Sequence, residues 1–226
     1  MISVAIDGPS GAGKSSLAKQ LAAALGFIYV DTGAMYRSIG LYALRKGADL
    51  KDEAQVAALL PEISIRLAFE DGEQHIYLNG EDVSLTIRQE QAGMAASAVA
   101  AHPAVRQYLL QLQRDLAKSH DLLMDGRDIG TVVLPDATVK IFLTASVEAR
   151  AARRCLQLRQ QGQPVDEEKV KADIEKRDWQ DTHRDTAPLR QAEDAVLVDT
   201  SDMDLEQSFE ALLAVIRRKA YGEEIG

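Results

Sequence analysis

Residues 2–26 read ISVAIDGPSGAGKSSLAKQLAAALG, and this stretch decides the fold. The short apolar run from Ile2 to Ile6 has the character of a buried strand and stops at Asp7-Gly8-Pro9. An Ala/Leu/Lys segment from Lys14 to Leu25 then has the composition of a helix, closed by Gly26. Between them, Gly8-Pro9-Ser10-Gly11-Ala12-Gly13-Lys14-Ser15 sets two glycines, a lysine and a hydroxyl at the spacing of a phosphate-binding loop. In a strand-to-helix setting, the loop's backbone N–H groups and the helix N-terminus can surround the phosphates of ATP. Lys14 supplies a point charge for the β- and γ-phosphates, Ser15 offers its hydroxyl to Mg²⁺, and Ser16 completes the nucleotide-binding run. Gly11 and Gly13 allow backbone torsions and close approach that a side chain would block.

Outward from this unit, strands and helices alternate. Phe27 to Val30 reads as a second strand, closed by Asp31-Thr32-Gly33, with a helix from about Ala34 to Lys46; Asp31 and Thr32 are both suitable N-caps. A short helix is expected near Asp52 to Leu60. Alternation from Ile63 to Phe69 and again from His75 to Leu78, around Asp71-Gly72, predicts a small antiparallel insertion. Helices follow at about Arg88 to Ala101 and Pro103 to Lys118. Leu122 to Asp125, Val139 to Leu143 and Ala195 to Val198 return as buried strands, separated by a long helical region from Val147 to Arg184. The polar loop from Gln160 to Glu168 in that region has the composition of a mobile lid. The rhythm is that of an α/β fold with a parallel sheet core flanked by helices.

Composition limits the function classes. The chain has 226 residues, enough for one globular unit with embellishments. A formal charge of −9 argues against long-range attraction to nucleic acid or anionic membrane, so an anionic ligand must be held by local basic clusters. Cys155 stands alone and the four histidines lack metal-cage spacing. A cytoplasmic setting is expected, from the absence of a basic leader segment or a membrane-length apolar run. A monomer is the default expectation, with no evident interface stripe.

A nucleotide loop alone does not separate a kinase from a switch or a motor. Three further segments carry the chemistry of an acceptor. Asp31-Thr32-Gly33-Ala34-Met35-Tyr36-Arg37 puts Arg37 one turn into a helix at the ligand-binding end of the sheet. Asp125-Gly126-Arg127-Asp128-Ile129-Gly130-Thr131 sets a carboxylate at a strand end, where Asp125 could order Mg²⁺, followed by an Arg-Asp pair. Arg177, Asp181 and Arg184 have i, i+4, i+7 spacing and share one helical face if the helix persists that far. In isolation each set also reads as a solvated ion-pair face. Beside a phosphate loop they become the concentrated arginines that two phosphorylated ligands require.

With these residues in view, the chain resembles the bacterial cytidylate kinases from Ile2 through about Asp199. The resemblance rests on the Ile6–Ser15 and Asp31–Arg37 runs, on Asn79-Gly80-Glu81-Asp82-Val83-Ser84, on Asp125–Thr131, and on Lys176-Arg177-Asp178 with Asp181. It implies a phosphate-loop nucleoside-monophosphate-kinase fold. The core would be about 1–32, 102–150 and 185–226, the monophosphate-binding region with its antiparallel insertion about 33–101, and the lid with its adjoining helices about 151–184. It implies transfer of the γ-phosphoryl group of ATP to CMP or dCMP, with Mg²⁺. By the same resemblance Ser97, Arg106 and Asp128 face the cytosine, Arg177 and Asp181 the ribose, and Tyr36, Arg37, Arg127 and Arg184 the acceptor phosphate. Thr32 also belongs to the acceptor site and stands where the family commonly has serine; the hydroxyl is kept. Lys14 and Arg127, with Arg150, Arg153 and Arg154 from the lid side, would stabilise the transferring group. Cytosine suits the base assignment, since its exocyclic amine can donate to Asp128 and its acceptor edge can take Arg106. Uracil would set an oxygen against the carboxylate, so weak use of UMP is expected. Two other readings remain open: a small-molecule kinase of the same core with a different acceptor, and an ATP-dependent switch.

Overall fold

The computed structural model describes residues 1–70 and 73–223. Strand β1 (Ser3–Asp7) buries Val4, Ala5 and Ile6 completely. It ends because Gly8 turns to φ 153°, where a Cβ would stand 1.9 Å from the Leu143 carbonyl oxygen. Helix α1 (Lys14–Leu25) starts from Gly13 at φ 88° and stops on Gly26 at φ 70°. It presents Leu17, Ala18, Leu21 and Ala22 as its buried stripe.

Strand β2 (Ile28–Asp31) leads into α2 (Thr32–Arg45), and α3 (Glu53–Leu59) follows with Asp52 as its cap. Asp31 is the cap of α2, accepting from the Ala34 amide at 3.0 Å, so the helix starts at Thr32, earlier than the sequence suggests. Strands β3 (Ile65–Glu70), β4 (Glu73–Leu78) and β5 (Glu81–Asp82) form the expected antiparallel insertion. The Asp71-Gly72 turn lies outside the described residues. Asn79 at φ 51° and Gly80 at φ 85° make the two-residue link that sets Leu78 opposite Glu81, the asparagine-glycine signature of a tight hairpin. Asn79 also accepts from the Ser64 amide (2.7 Å) and donates to the Glu62 carbonyl (3.0 Å), which ties the hairpin to the start of β3. Helices α4 (Glu90–Val99) and α5 (Pro103–Ser119) complete this part. Gly40 lets α2 approach α4 so closely that a Cβ there would meet that of Ala95 at 2.8 Å.

Strand β6 (Leu122–Gly126) is buried, and a wide turn over Ile129–Val133 leads to β7 (Val139–Thr144). Helices α6 (Val147–Gln160) and α7 (Glu167–His183) then pack together. They are joined by ion pairs of Lys171 with Glu148 (2.9 Å) and of Arg159 with Glu167. On α7 the Trp179 ring stacks on His183 at 4.8 Å and is 63% exposed. Strand β8 (Val196–Asp199) and helix α8 (Leu205–Tyr221) finish the chain. Helix α8 is an element beyond those expected from the sequence; Asp204 and Gln207 form a capping box at its start and Gly222 closes it at φ 71°.

The five-stranded parallel sheet has the order β2-β6-β1-β7-β8. Val4–Asp7 run beside Val139–Phe142, and Ile141–Thr144 beside Val196–Asp199. The chain divides into two compact units: Ile28–Leu122 with Met1, and Ile2–Phe27 with the chain from Leu123 onward. The first is cored by Met35, Ile39, Ile76, Leu78 and Leu109, the second by Ile6, Leu17, Leu21, Leu123, Met124 and Ile129. Among the described residues no helix is long and apolar enough to cross a membrane.

Candidate active site

The phosphate loop belongs to the second unit. Lys14 is buried and donates from Nζ to the Pro9 carbonyl at 2.7 Å, which folds its side chain back over the loop. Burial, helped by the Arg127 guanidinium, pulls its ammonium down to about 7, against the pull of Asp125, Asp181 and Asp7. Ala12 is buried, while Ser15 and Ser16 are exposed at the start of α1. The Ser15 hydroxyl donates to Asp125 Oδ2 at 2.9 Å, joining the helix start to the end of β6. A hydroxyl and a carboxylate oxygen are hard donors suited to Mg²⁺. No group of three or more His, Cys, Asp or Glu that could hold a metal occurs among the described residues, so an ion here would draw its other ligands from nucleotide phosphate and water.

Arg127 and Asp128 follow β6 directly. Arg127 Nε donates to Asp181 Oδ2 at 2.6 Å, and Arg184 lies 3.5 Å from Asp128 Oδ1 and 3.9 Å from Asp181 Oδ1. Burial disfavours the charge on Arg127, but Asp181, with Asp125 and Asp7, outweighs it and holds the guanidinium above its ordinary range. Four of the predicted acceptor residues thus form one alternating cluster of cations and carboxylates. Arg177 is half-buried on α7. The helix does not persist to Arg184: α7 ends at His183, and Arg184 has extended torsions. Its position comes from the following loop, where Ala187 turns to φ 49° and offers its carbonyl to Arg184 Nε at 2.7 Å.

The lid-side arginines divide by environment. Arg150 is buried, donates to the Ser10 and Ala145 carbonyls at 2.9 Å each, and pairs with Asp178 at 2.6 Å. Its Cβ is also the atom that a Cβ on Gly11 would meet at 3.4 Å. Arg153 donates to Thr200 Oγ1 and to the Met203 carbonyl, each at 3.2 Å. Arg154 is exposed and donates to Gln157 within its own helix at 2.7 Å.

The other predicted residues lie in the first unit. Thr32 is buried as the first residue of α2. Arg37 pairs with Asp31 at 2.6 Å, while its Nε is buried and makes no hydrogen bond. Arg106 is buried, donates to the Ala100 carbonyl at 3.2 Å, and sits over the Tyr36 ring at 5.6 Å. Ser97 is exposed on α4, and its hydroxyl donates to the Gly93 carbonyl at 3.3 Å, a local helix bond.

Asp7 and Asp178 are not among the site residues expected from the sequence. Asp7 is buried and accepts from the Ile129 amide (2.8 Å) with one oxygen and the Gly130 amide (2.7 Å) with the other. A charged residue ending an otherwise apolar strand was the available signal. Asp178 lay between Arg177 and Asp181, where the helix pattern suggested only solvation.

Known proteins match the sequence along nearly the whole chain. The family model described as cytidylate kinase matches residues 4–218. A cytidylate kinase of Shouchella clausii is 48% identical over 214 residues, covering 95% of each chain. One from Geobacillus kaustophilus is 47% identical over 218 residues, covering 96% of this chain and 97% of its own. One from Lactobacillus johnsonii is 45% identical over 219 residues, covering 97% and 95%. In fold, the chain is similar to an uncharacterized protein from Eubacterium ventriosum, with a TM-score of 0.53 at 13% identity over 96% of this chain and 98% of that one. A buried phosphate-loop lysine, a serine tied to a strand-end aspartate and an arginine-aspartate cluster after that strand therefore occur in a chain that belongs to the cytidylate kinase family.

Proposed function

We propose that the protein transfers the γ-phosphoryl group of ATP to CMP and dCMP by direct in-line displacement, without a covalent enzyme intermediate. The observation that carries this reading is the Arg127–Asp128–Asp181–Arg184 cluster beside the phosphate loop, in a unit where Lys14 and Arg127 already feel one another's charge. A switch has no use for a second set of phosphate-seeking arginines. Lys14 leaves the Pro9 carbonyl for the β- and γ-phosphates, and loop amides surround them. Ser15 and Asp125 would hold Mg²⁺, which when bound would neutralise developing charge on the phosphates.

Arg127, Arg184, Arg37 and Tyr36 take the acceptor phosphate, and the orphaned Arg37 Nε gains an oxygen there. Thr32 lines the same acceptor site. Ser97, Arg106 and Asp128 recognise the cytosine, and Arg177 and Asp181 the ribose. Arg153 and Arg154 steady the transferring group as the lid closes. Arg154 need only leave Gln157, whereas Arg153 must leave Thr200 and Met203. Arg127 and Arg184 exchange a carboxylate for a phosphate, so their charge is passed on with little new desolvation.

A coupled ADP-release assay across the ribo- and deoxyribonucleoside monophosphates tests the reading. CMP and dCMP are expected to exceed UMP in kcat/KM by about 10²-fold or more. ATP turnover without a monophosphate, or a panel in which the cytidine nucleotides do not stand out, would overturn it.

A further inference from the structure

Asp7 closes β1 and is the residue immediately before Gly8, the root of the phosphate loop. Its carboxylate reaches across 122 residues of chain to Ile129, and one residue further to Gly130. Those two amides open the 129–133 turn, whose own bonds run from the Val132 and Val133 amides to the Asp128 carbonyl (2.9 and 3.1 Å) and from Leu134 to Ile129 (2.7 Å). The first amides of such a turn have no partner inside it. Asp7 supplies both partners at once and adds a negative charge at the positive end of the turn. Gly130 fits the arrangement closely: a Cβ there would stand 3.2 Å from Lys140 Cδ and 3.4 Å from Asp7 Oδ2. The space a side chain at 130 would occupy is thus already taken by the Lys140 stem and the Asp7 carboxylate. Arg127 and Asp128 are the residues the turn delivers.

We propose that Asp7 is a positioning residue for the acceptor: by capping Ile129 and Gly130 it fixes where Arg127 and Asp128 stand relative to the donor loop that begins at its own C-terminal neighbour. It touches neither nucleotide. The proposal rests on the acceptor roles given to Arg127 and Asp128 above. Burial pushes the Asp7 carboxyl up to about 6 even though both amides pull it down, so its charge is held there against the cost of desolvation. A strand end that needed only packing has no call for it.

The test uses two variants that disturb the contact from opposite sides. Asp7→Asn keeps one acceptor and turns its NH₂ toward the other amide; Gly130→Ala leaves Asp7 intact and pushes the turn away. Each is first checked for its melting transition and circular dichroism. KM is then measured for ATP and for whichever monophosphate the wild type uses fastest, together with the kcat/KM ratio of that acceptor to the next. Both variants are expected to raise the acceptor KM about tenfold, keep the ATP KM within about twofold, and narrow the acceptor ratio about tenfold. Equal changes for the two nucleotides, or an unchanged acceptor ratio in the folded variants, would reduce Asp7 to a structural cap. If Asp7→Asn fails to fold, wild-type kinetics in Gly130→Ala would overturn the proposal by itself. A wild type that prefers some acceptor other than CMP refutes the cytidine reading and leaves this comparison intact.

Discussion

A methyl group on Gly8 would lie 1.9 Å from the Leu143 carbonyl, so Gly8→Ala must displace either the loop or β7. We expect it to cost about 3 kcal/mol or more, read as a lowered denaturation midpoint, and to abolish turnover. Lys14 behaves in the opposite way. It is a buried ammonium that desolvation disfavours, so Lys14→Met exchanges a costly cation for an apolar stem of similar length. Turnover should fall by about 10²-fold or more while the melting temperature of the nucleotide-free protein at pH 6.5 stays level or rises. A marked loss of stability in that variant would mean that the Pro9 contact outweighs the burial cost. Both residues were legible in the sequence, because the loop's spacing encodes backbone geometry directly. Asp7 was not: its partners lie beyond a hundred residues away, and only the sheet order brings β1 and β6 side by side.

Helix α7 shows what periodicity can and cannot fix. Arg177 and Asp181 share its face as the i, i+4 spacing requires, yet Arg184 reaches the cluster through the loop beyond the helix. That loop holds Ala187 at φ 49°, a conformation costing an alanine about 1 kcal/mol relative to glycine. Ala187→Gly should therefore raise stability by no more than about a few tenths of a kcal/mol by chemical denaturation, because glycine's greater freedom when unfolded offsets most of the relieved strain. Strand and helix types elsewhere followed from hydrophobic period and glycine stops, as at α1, whose bounds agree with the reading from Lys14 to Leu25. The role of Arg150 did not. An arginine-rich helix face looks the same in sequence whether a given side chain points to water or, as here, runs to the Ser10 carbonyl and Asp178.

For the molecule as a whole, the net charge of −9 is compatible with an anionic ligand only because a few buried charges are set locally, and those charges tie stability to pH. The folded state binds a proton at Asp7 up to about pH 6, against 3.8 for an ordinary aspartate. The stability this confers is fully present below 3.8 and lost as pH rises through 6, an amount of about 3 kcal/mol. The melting temperature of wild type minus that of Asp7→Asn should accordingly be larger at pH 4.5 than at pH 7.5; an equal difference at both would show that the carboxyl titrates normally. The chain also contains a single tryptophan, Trp179, stacked on His183 one turn along α7. Every photon of indole emission therefore originates on the helix that carries Arg177, Asp178 and Asp181, with an imidazole quencher held against the ring. The unlabelled protein is thus its own optical probe of that helix, and a stopped-flow fluorescence trace would time its response to each nucleotide separately.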